Sequence, residues 1–225
     1  MPGKLIIIEA GDGSGKATQT EKLYLRLQKE GKRVKKVEFP DYRSPSSALI
    51  KMYLNGEFGS QPGDVSPYVA STFYAVDRYA SFKKDWQDFY YSGGIILADR
   101  YTTSNMVHQA VKIPGDADKQ KFLEWLWNFE FQLFQLPVPD CVLFLDVPPE
   151  YSRKLIRERA NKSGEGQPDI HERDEDYLSR CYASYRLVAA KYCWQTISCT
   201  ENGRLKSIDE IHAAIYDAVK RMVDL

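Results

Sequence analysis

The residues with the most specific chemistry lie near the start of the chain, where closely spaced glycines and a lysine follow an apolar run. Residues 5–8 form the run, and Gly11, Gly13, Gly15 and Lys16 follow it. Glycines let successive backbone N–H groups turn toward one anion, and the lysine ammonium can reach the terminal phosphates of a nucleotide. The pattern therefore predicts a phosphate-binding loop. Its predicted nucleotide contacts are Gly11, Asp12, Gly13, Ser14, Gly15, Lys16, Ala17 and Thr18.

Two positions of this loop depart from the standard G-x-x-x-x-G-K-[ST] pattern. Ala10 replaces the first glycine, and Ala17 replaces the Ser or Thr whose hydroxyl usually contacts the Mg²⁺ of the nucleotide. Thr18 is the adjacent hydroxyl, and we predict it as a metal contact. The alternative interpretation is a glycine-rich turn without a ligand, but the lysine after the third glycine favours phosphate binding.

The elements that position this loop follow from the pattern of apolar residues. The run before the loop predicts a buried strand, and Leu23 and Leu27 recur at helical spacing after it. Apolar runs at residues 34–39, 95–98, 141–147 and 194–199 predict four more strands, with helical segments between them. The alternation indicates an α/β fold with a parallel sheet.

Charged residues follow the predicted strand at residues 95–98, where Asp99, Arg100 and Tyr101 occur in sequence. In open parallel sheets, ligands bind beyond the carboxyl ends of the strands. We therefore expect these side chains to share one rim with the phosphate loop. The alternative is a structural salt bridge at the strand end. Later in the chain, residues 161–168 are polar and glycine-containing and predict a mobile loop.

Length, charge and cysteine use restrict the class of protein. A chain of 225 residues fits a single domain, predicted over residues 1–225. Lys+Arg and Asp+Glu both number 31, so no general basic field favours nucleic acid or a membrane as a partner. The N-terminal apolar run is too short for a signal or membrane segment, which predicts a cytoplasmic protein. The four cysteines show no C-x-x-C pairing and are predicted to be reduced.

Several motifs in order give the chain a resemblance to the thymidylate kinase family of nucleoside-monophosphate kinases. Residues 9–18 are similar to the family's E-G-x-D-x-x-G-K-[ST]-T loop, and residues 99–109 to its D-R-Y-x-x-S-x-x-A-Y-Q segment. Phe39 and Pro40 match an F-P pair, residues 74–78 an aromatic-x-x-D/N-R helix, and residues 139–147 a P-D-x-x-x-x-L-D-V strand. The resemblance implies a P-loop NTPase-type three-layer fold, with a five-stranded parallel sheet, helices on both faces and a mobile lid at about residues 157–173.

The resemblance also implies a reaction, in which the γ-phosphoryl of ATP moves to dTMP to give dTDP and ADP. Lys16 and the loop backbone would hold the ATP phosphates, and Asp99 would ligate Mg²⁺ directly or through water. Some family members carry a catalytic Arg in the loop where this chain has Gly13, and Ile170 replaces the Arg of the family's lid pattern D-R-x-E. The remaining candidates for this cation are Arg153, Arg157, Arg159, Lys162 and Arg173. Of these, Arg157 and Arg159 are the predicted catalytic arginines, and Arg153 is a further predicted nucleotide contact.

For the acceptor, the resemblance implies roles residue by residue. Arg100 would hold the acceptor phosphate, Tyr74 would stack on thymine, and Arg78 would donate to a thymine carbonyl. His108 stands where the family has a Tyr or Phe that crowds the sugar 2′ position. For Tyr74 the alternative is core packing. The predicted acceptor residues are Asp12, Phe39, Pro40, Tyr42, Tyr74, Arg78, Arg100, Tyr101, Ser104, Asn105, His108 and Gln109.

The sequence leaves two alternative functions open and predicts one assembly. A kinase for another pyrimidine (deoxy)nucleotide or a deoxynucleoside would share these motifs. A nucleotide-binding protein with weakened catalysis would explain Ala10, Ala17 and Ile170. Residues 117–134 form a predicted helix rich in aromatic residues, which together with the resemblance predicts a homodimer.

Overall fold

The computed structural model describes residues 2–163, 170–171 and 174–223, with their side chains except those of residues 157–163 and 175. A five-stranded parallel sheet in the order β2-β3-β1-β4-β5 forms the centre. Its strands are β1 Lys4–Glu9, β2 Val34–Glu38, β3 Ile95–Asp99, β4 Cys141–Asp146 and β5 Gln195–Ser198. The predicted parallel α/β sheet is confirmed.

Nine α-helices surround the sheet within the described ranges. They are α1 Lys16–Lys29, α2 Ala48–Leu54, α3 Pro67–Ser81, α4 Gln87–Tyr91, α5 Thr102–His108, α6 Asp116–Trp127, α7 Pro149–Ser163, α8 Glu175–Lys191 and α9 Ile208–Val223. None of the helices in the described ranges has the length and apolar character that a membrane span requires.

Strand β1 lies in the middle of the sheet, which explains its continuous apolar sequence. Ile6 and Ile8 pack on one face with residues of α1 and α9, including Leu23 and Ile215. The alternate residues of the strand pack on the other face against a cluster that includes Trp86. Because both faces are covered by helices, alternation between polar and apolar residues is lost in this strand. The sheet and its two helical layers confirm the three-layer arrangement.

The register of the sheet brings the carboxyl ends of three strands to one level. Ile8 of β1 and Glu38 of β2 both lie opposite Asp99 of β3. The loop after β1 and the charged residues after β3 are therefore neighbours, although about ninety positions separate them in the sequence. This level edge of the sheet positions the candidate site.

Three local features differ from the sequence prediction. Helix α3 continues beyond Ser81 through a π-helical turn, Phe82–Trp86, to the end of α4. A second π-helical turn, Asn128–Leu133, follows α6. A two-stranded hairpin, β6 Thr200–Glu201 and β7 Arg204–Leu205, was not predicted, because two-residue strands are too short to show a period.

Candidate active site

The predicted phosphate loop connects β1 to α1 and opens onto a cleft of about 530 Å³. Gly13 and Gly15 have φ angles of 72° and 75°, a left-handed conformation that suits glycine. All eight predicted loop residues line this cleft, which we call the donor cleft. Helix α1 begins at Lys16, so its free N–H groups face the loop. The Lys16 ammonium pairs with the Asp99 carboxylate at the end of β3.

Helix α7 packs directly against the phosphate loop at Gly13. A Cβ atom placed there would lie 2.2 Å from Ile156 Cγ1 and 3.0 Å from the backbone oxygen of Ser152. An arginine at this position would therefore require α7 to move. Arg153, also on α7, lies beside the loop in a small separate cavity, with Nη2 3.4 Å from Ser179 Oγ. The side chains of the predicted Arg157 and Arg159, like those of most of the predicted lid, are not among the side chains that the structure describes.

A second pocket, the acceptor pocket, adjoins the donor cleft. It is lined by all twelve predicted acceptor residues and by two residues that were not predicted, Leu54 and His171. Five side chains line both spaces, so the two pockets meet along one wall. These shared residues are Asp12, Phe39, Pro40, Tyr42 and Arg100.

Arg100 lies where the two pockets meet and is held by several partners at once. Its Nη2 pairs with Asp12, while Nη1 lies 3.2 Å from Ser104 Oγ, 3.1 Å from the Tyr185 hydroxyl and 3.4 Å from His108 Nε2. Burial alone would lower the pKa of Arg100, but the nearby Asp12 carboxylate raises it above its ordinary value. The guanidinium is therefore charged and fixed in orientation.

Glu9 is the centre of the hydrogen bonds around Arg100, although the sequence suggested no role for it beyond the motif. The carboxylate is completely buried and accepts from Thr103 Oγ1 at 2.6 Å, Ser104 Oγ at 2.8 Å and the Tyr185 hydroxyl at 3.1 Å. Tyr185 lies on α8 and was not predicted as a site residue. Its sequence signal is an aromatic position in an amphipathic helix, which does not distinguish a site residue from a core residue.

Arg78 lies deeper in the acceptor pocket than Arg100 and has a different partner. Its Nε donates to Glu130 Oε2 at 2.6 Å and its Nη2 donates to the other carboxylate oxygen. The two side chains are 1% and 0% exposed, and Thr102 Oγ1 also donates to Glu130 at 2.7 Å. Glu130 comes from the π-helical turn after α6. A lone acidic residue within an aromatic segment was the available sequence signal for it.

Three predicted acceptor residues differ in how their polar atoms are used. Tyr101 is fully buried, and its hydroxyl donates to the Pro137 carbonyl at 3.1 Å, so only its ring contributes to the pocket wall. Asn105 Nδ2 lies 3.5 Å from the Ser71 carbonyl. Gln109 is buried, and neither Nε2 nor Oε1 has a hydrogen-bond partner within the described ranges. A buried amide without partners is costly and indicates a missing ligand or water.

Two histidines, His108 and His171, stand side by side in the acceptor pocket. Their rings are parallel within 6°, with centroids 6.1 Å apart. Burial and the Arg100 guanidinium lower the pKa of His108 to about 4. Burial and neighbouring cationic groups lower the pKa of His171 to about 3. Both imidazoles are therefore neutral near pH 7, and His171 Nε2 lies 2.8 Å from the Tyr53 hydroxyl.

The described residues contain no cluster of three acidic, histidine or cysteine side chains that could hold a metal ion. Asp99, Thr18 and Glu38 all line the donor cleft. Mg²⁺ in nucleotide sites is commonly held by one or two carboxylates together with phosphate oxygens and water. A cleft with few carboxylates beside a phosphate loop fits such an ion, although Ala17 supplies no hydroxyl.

The fold and the two adjoining pockets define a P-loop nucleotide kinase. The family model for thymidylate kinase matches residues 8–215. A thymidylate kinase of Mycobacterium tuberculosis is 32% identical over 188 residues, which cover 83% of this chain and 86% of the relative. The chain therefore belongs to the thymidylate kinase family and is an ATP-dependent phosphotransferase of dTMP, as the sequence motifs predicted.

More distant relatives match the chain over nearly its full length. A thymidylate kinase of Danio rerio is 24% identical over 225 residues, covering 99% of this chain and 92% of the relative. A solved structure of thymidylate kinase from Candida albicans aligns with a TM-score of 0.69 at 24% identity, covering 98% of this chain and 92% of that chain. This structural likeness supports the fold.

Proposed function

We propose that ATP binds in the donor cleft, that dTMP binds in the acceptor pocket, and that Arg100 holds the acceptor phosphate beside the γ-phosphoryl group. The observation that carries this proposal is the position of Arg100 and Asp12 in the wall shared by both pockets. Phosphoryl transfer depends on holding two charged groups in line and neutralising their charge, with little covalent help from the protein.

On the donor side, the backbone N–H groups of the phosphate loop and Lys16 bind the ATP phosphates. Asp99 would hold Mg²⁺ directly or through water, and Thr18, which follows Ala17 in the sequence, would supply the hydroxyl that Ala17 lacks. The metal ion neutralises phosphate charge when it is bound. Lys16 can leave Asp99 for a phosphate, since both are anionic partners at the same edge of the sheet.

Three arginines are proposed to act around the ATP phosphates. The packing of Ile156 against Gly13 leaves no space for an arginine in the loop itself. Arg157 and Arg159 are the proposed catalytic cations, and Arg153 is a proposed nucleotide contact because it already lies beside the loop. Arg157→Ala and Arg159→Ala, singly and together, test this through kcat, and activity within about a few-fold of the unmodified protein in all three would reject it.

On the acceptor side, the base lies between Tyr74 and the polar side chains at the inner end of the pocket. Arg78 offers Nη1, because Glu130 occupies Nε and Nη2. The Gln109 amide has one donor side and one acceptor side, which match the adjacent N3–H and carbonyl of thymine. Ser104, Asn105 and the neutral His108 complete the contacts to base and sugar.

The two alternative functions are less well supported. The family match favours dTMP over another pyrimidine acceptor, and a protein that only senses ATP would not require the acceptor pocket. We also propose that residues 1–225 act as one kinase domain and that the protein is cytoplasmic and homodimeric, without nucleic acid or membrane partners.

A coupled ADP-release assay with ATP, Mg²⁺ and each nucleoside monophosphate in turn tests the proposed function. We expect the highest kcat/KM with dTMP, well above that with dUMP, dCMP and ribonucleotides. A higher kcat/KM with another acceptor would show that this acceptor, and not dTMP, is the preferred substrate. Binding of both dTMP and ATP without ADP release would instead support the nucleotide-binding protein.

A further inference from the structure

Tyr185 occupies a bridging position between the buried carboxylate of Glu9 and the guanidinium of Arg100. Its hydroxyl oxygen lies 3.1 Å from Glu9 Oε2 and 3.1 Å from Arg100 Nη1. The ring is fully buried and stacks on Phe144 with centroids 5.1 Å apart and planes within 5°. The position of the hydroxyl is therefore fixed by the packing of α8 against β4.

The direction of both hydrogen bonds follows from the chemistry of the partners. An ionised carboxylate only accepts, and a guanidinium only donates. The Tyr185 O–H therefore donates to Glu9, and its lone pairs accept from Arg100. Burial, and then the adjacent Glu9 carboxylate, raise the pKa of Tyr185 well above its ordinary value, so the hydroxyl keeps its proton.

Arg100 requires such support because its other anionic partner is exchangeable. Asp12 pairs with Nη2, lines both pockets and is 26% exposed, whereas Glu9 is 0% exposed. An incoming phosphate competes with Asp12 for the guanidinium. The contacts of Nη1 with Tyr185, Ser104 and His108 remain on the protein side during that exchange. Arg100 also has a φ angle of 68°, a left-handed backbone conformation that is uncommon for residues other than glycine.

We propose that Tyr185 is a positioning residue, which fixes Nη1 of Arg100 to the buried Glu9 and thereby presents Nη2 to the acceptor phosphate. The inference rests on the proposed role of Arg100. It assigns a function to α8, a helix outside the sequence motifs of the site.

Tyr185→Phe tests the inference, since it removes one hydroxyl and keeps the stacked ring. We expect the Kd for dTMP to rise about tenfold, the loss typical of one hydrogen bond to a charged group, while the Kd for thymidine stays within about twofold. Thymidine lacks the phosphate and reports on the rest of the pocket. Tyr182→Phe is the matched control, because its hydroxyl is on the same helix but bonds Asp146 at 2.8 Å.

A double-mutant cycle with Arg100→Met shows whether the effect passes through Arg100. We expect Tyr185→Phe to have no further effect on the Kd for dTMP in that background. Equal weakening of dTMP and thymidine, an unchanged Kd for dTMP, or a full effect in the Arg100→Met background would each overturn the inference. Failure of the proposed function would appear separately, as an unmodified protein that binds dTMP without turning it over.

Discussion

The acceptor pocket contains two arginines that differ in burial and in how many hydrogen bonds their carboxylate partners make with them. Arg78 is 1% exposed and forms a bidentate pair with the fully buried Glu130. Arg100 is 16% exposed, and its carboxylate partner Asp12 uses only Nη2. A permanent bidentate partner leaves Arg78 one nitrogen for a ligand, which suits a single neutral carbonyl. An exchangeable partner leaves Arg100 able to bind a phosphate.

The largest expected effect concerns Arg100, because we propose that it binds the phosphate of the acceptor. Arg100→Met should lower kcat/KM for dTMP by about 10³-fold, through loss of a charge-assisted contact in a buried site. Steady-state ADP release measures this. The matched control is Arg43→Met, since the Arg43 side chain is 85% exposed and lines neither pocket. A loss of less than about tenfold would contradict the role of Arg100.

The second prediction concerns the contribution of the Arg78–Glu130 ion pair to the stability of the fold. Glu130→Gln leaves a buried guanidinium without its counter-charge and should lower the free energy of unfolding by about 3 kcal/mol. Asp12→Asn should cost about 1 kcal/mol, because Arg100 keeps its other partners. Urea unfolding of both variants provides the comparison.

A double variant provides the control for this second prediction. Arg78→Met with Glu130→Leu removes both charges and should recover part of the loss. Equal destabilisation by Glu130→Gln and Asp12→Asn would mean that the two arginines are held alike.

The third prediction is an effect of acid on the region around Arg100. The folded protein lowers the pKa of His108 to about 4 and that of His171 to about 3, from an ordinary value of 6.5. As the pH falls below about 6.5, these histidines take up protons in the unfolded chain before they do so in the folded protein. The folded state therefore keeps its full stability above about pH 6.5 and loses stability as the pH falls toward the two lowered pKa values. Between about pH 6.5 and pH 5 the expected loss is about 2 kcal/mol for each histidine.

Urea unfolding at several pH values measures this acid effect. The double variant His108→Gln, His171→Gln should have a flatter dependence between about pH 6.5 and pH 5 than the unmodified protein. If the free energy of unfolding changed equally with pH in the two proteins, the pKa values of the two histidines would not be lowered in the folded state.

The smallest expected effect concerns Gln109, which distinguishes a ligand contact from a structural one. Gln109→Leu should lower kcat/KM for dTMP about tenfold, because the amide is expected to pair with the base. Stability should be unchanged or rise slightly, since the substitution removes buried polar atoms that have no partner in the described part of the chain. A loss of stability together with unchanged kinetics would assign Gln109 a structural role.

Sequence reasoning succeeded where the topology of the sheet determines position. The phosphate loop and residues 99–101 follow neighbouring parallel strands, so their meeting at one edge was predictable from the order of apolar runs. Predicting the twelve acceptor residues also required the resemblance to the family. Three of them, Tyr74, Arg78 and Tyr42, lie on segments outside the sheet, and the spacing of apolar residues does not show which way those segments face.

The residues that sequence reasoning missed come from other helices and turns. His171 lines the pocket, and Tyr185 of α8 and Glu130 of the π-helical turn contact its two arginines, only because of how those segments pack. A single aromatic or acidic residue on a helix face carries no information about its distant partner. A π-helical turn also rotates the following side chains relative to the α-helical period, so Glu130 could not be placed by counting.

The transfer of a phosphoryl group between the two pockets is tested most directly with ATP that is labelled on its γ-phosphate. The protein is incubated with this ATP, Mg²⁺ and dTMP, and the labelled products are separated. The arrangement of Lys16, Arg100 and the shared wall predicts that the label appears in dTDP in proportion to the ADP formed. Label that is released as inorganic phosphate, or that stays in ATP while dTMP is bound, would contradict it.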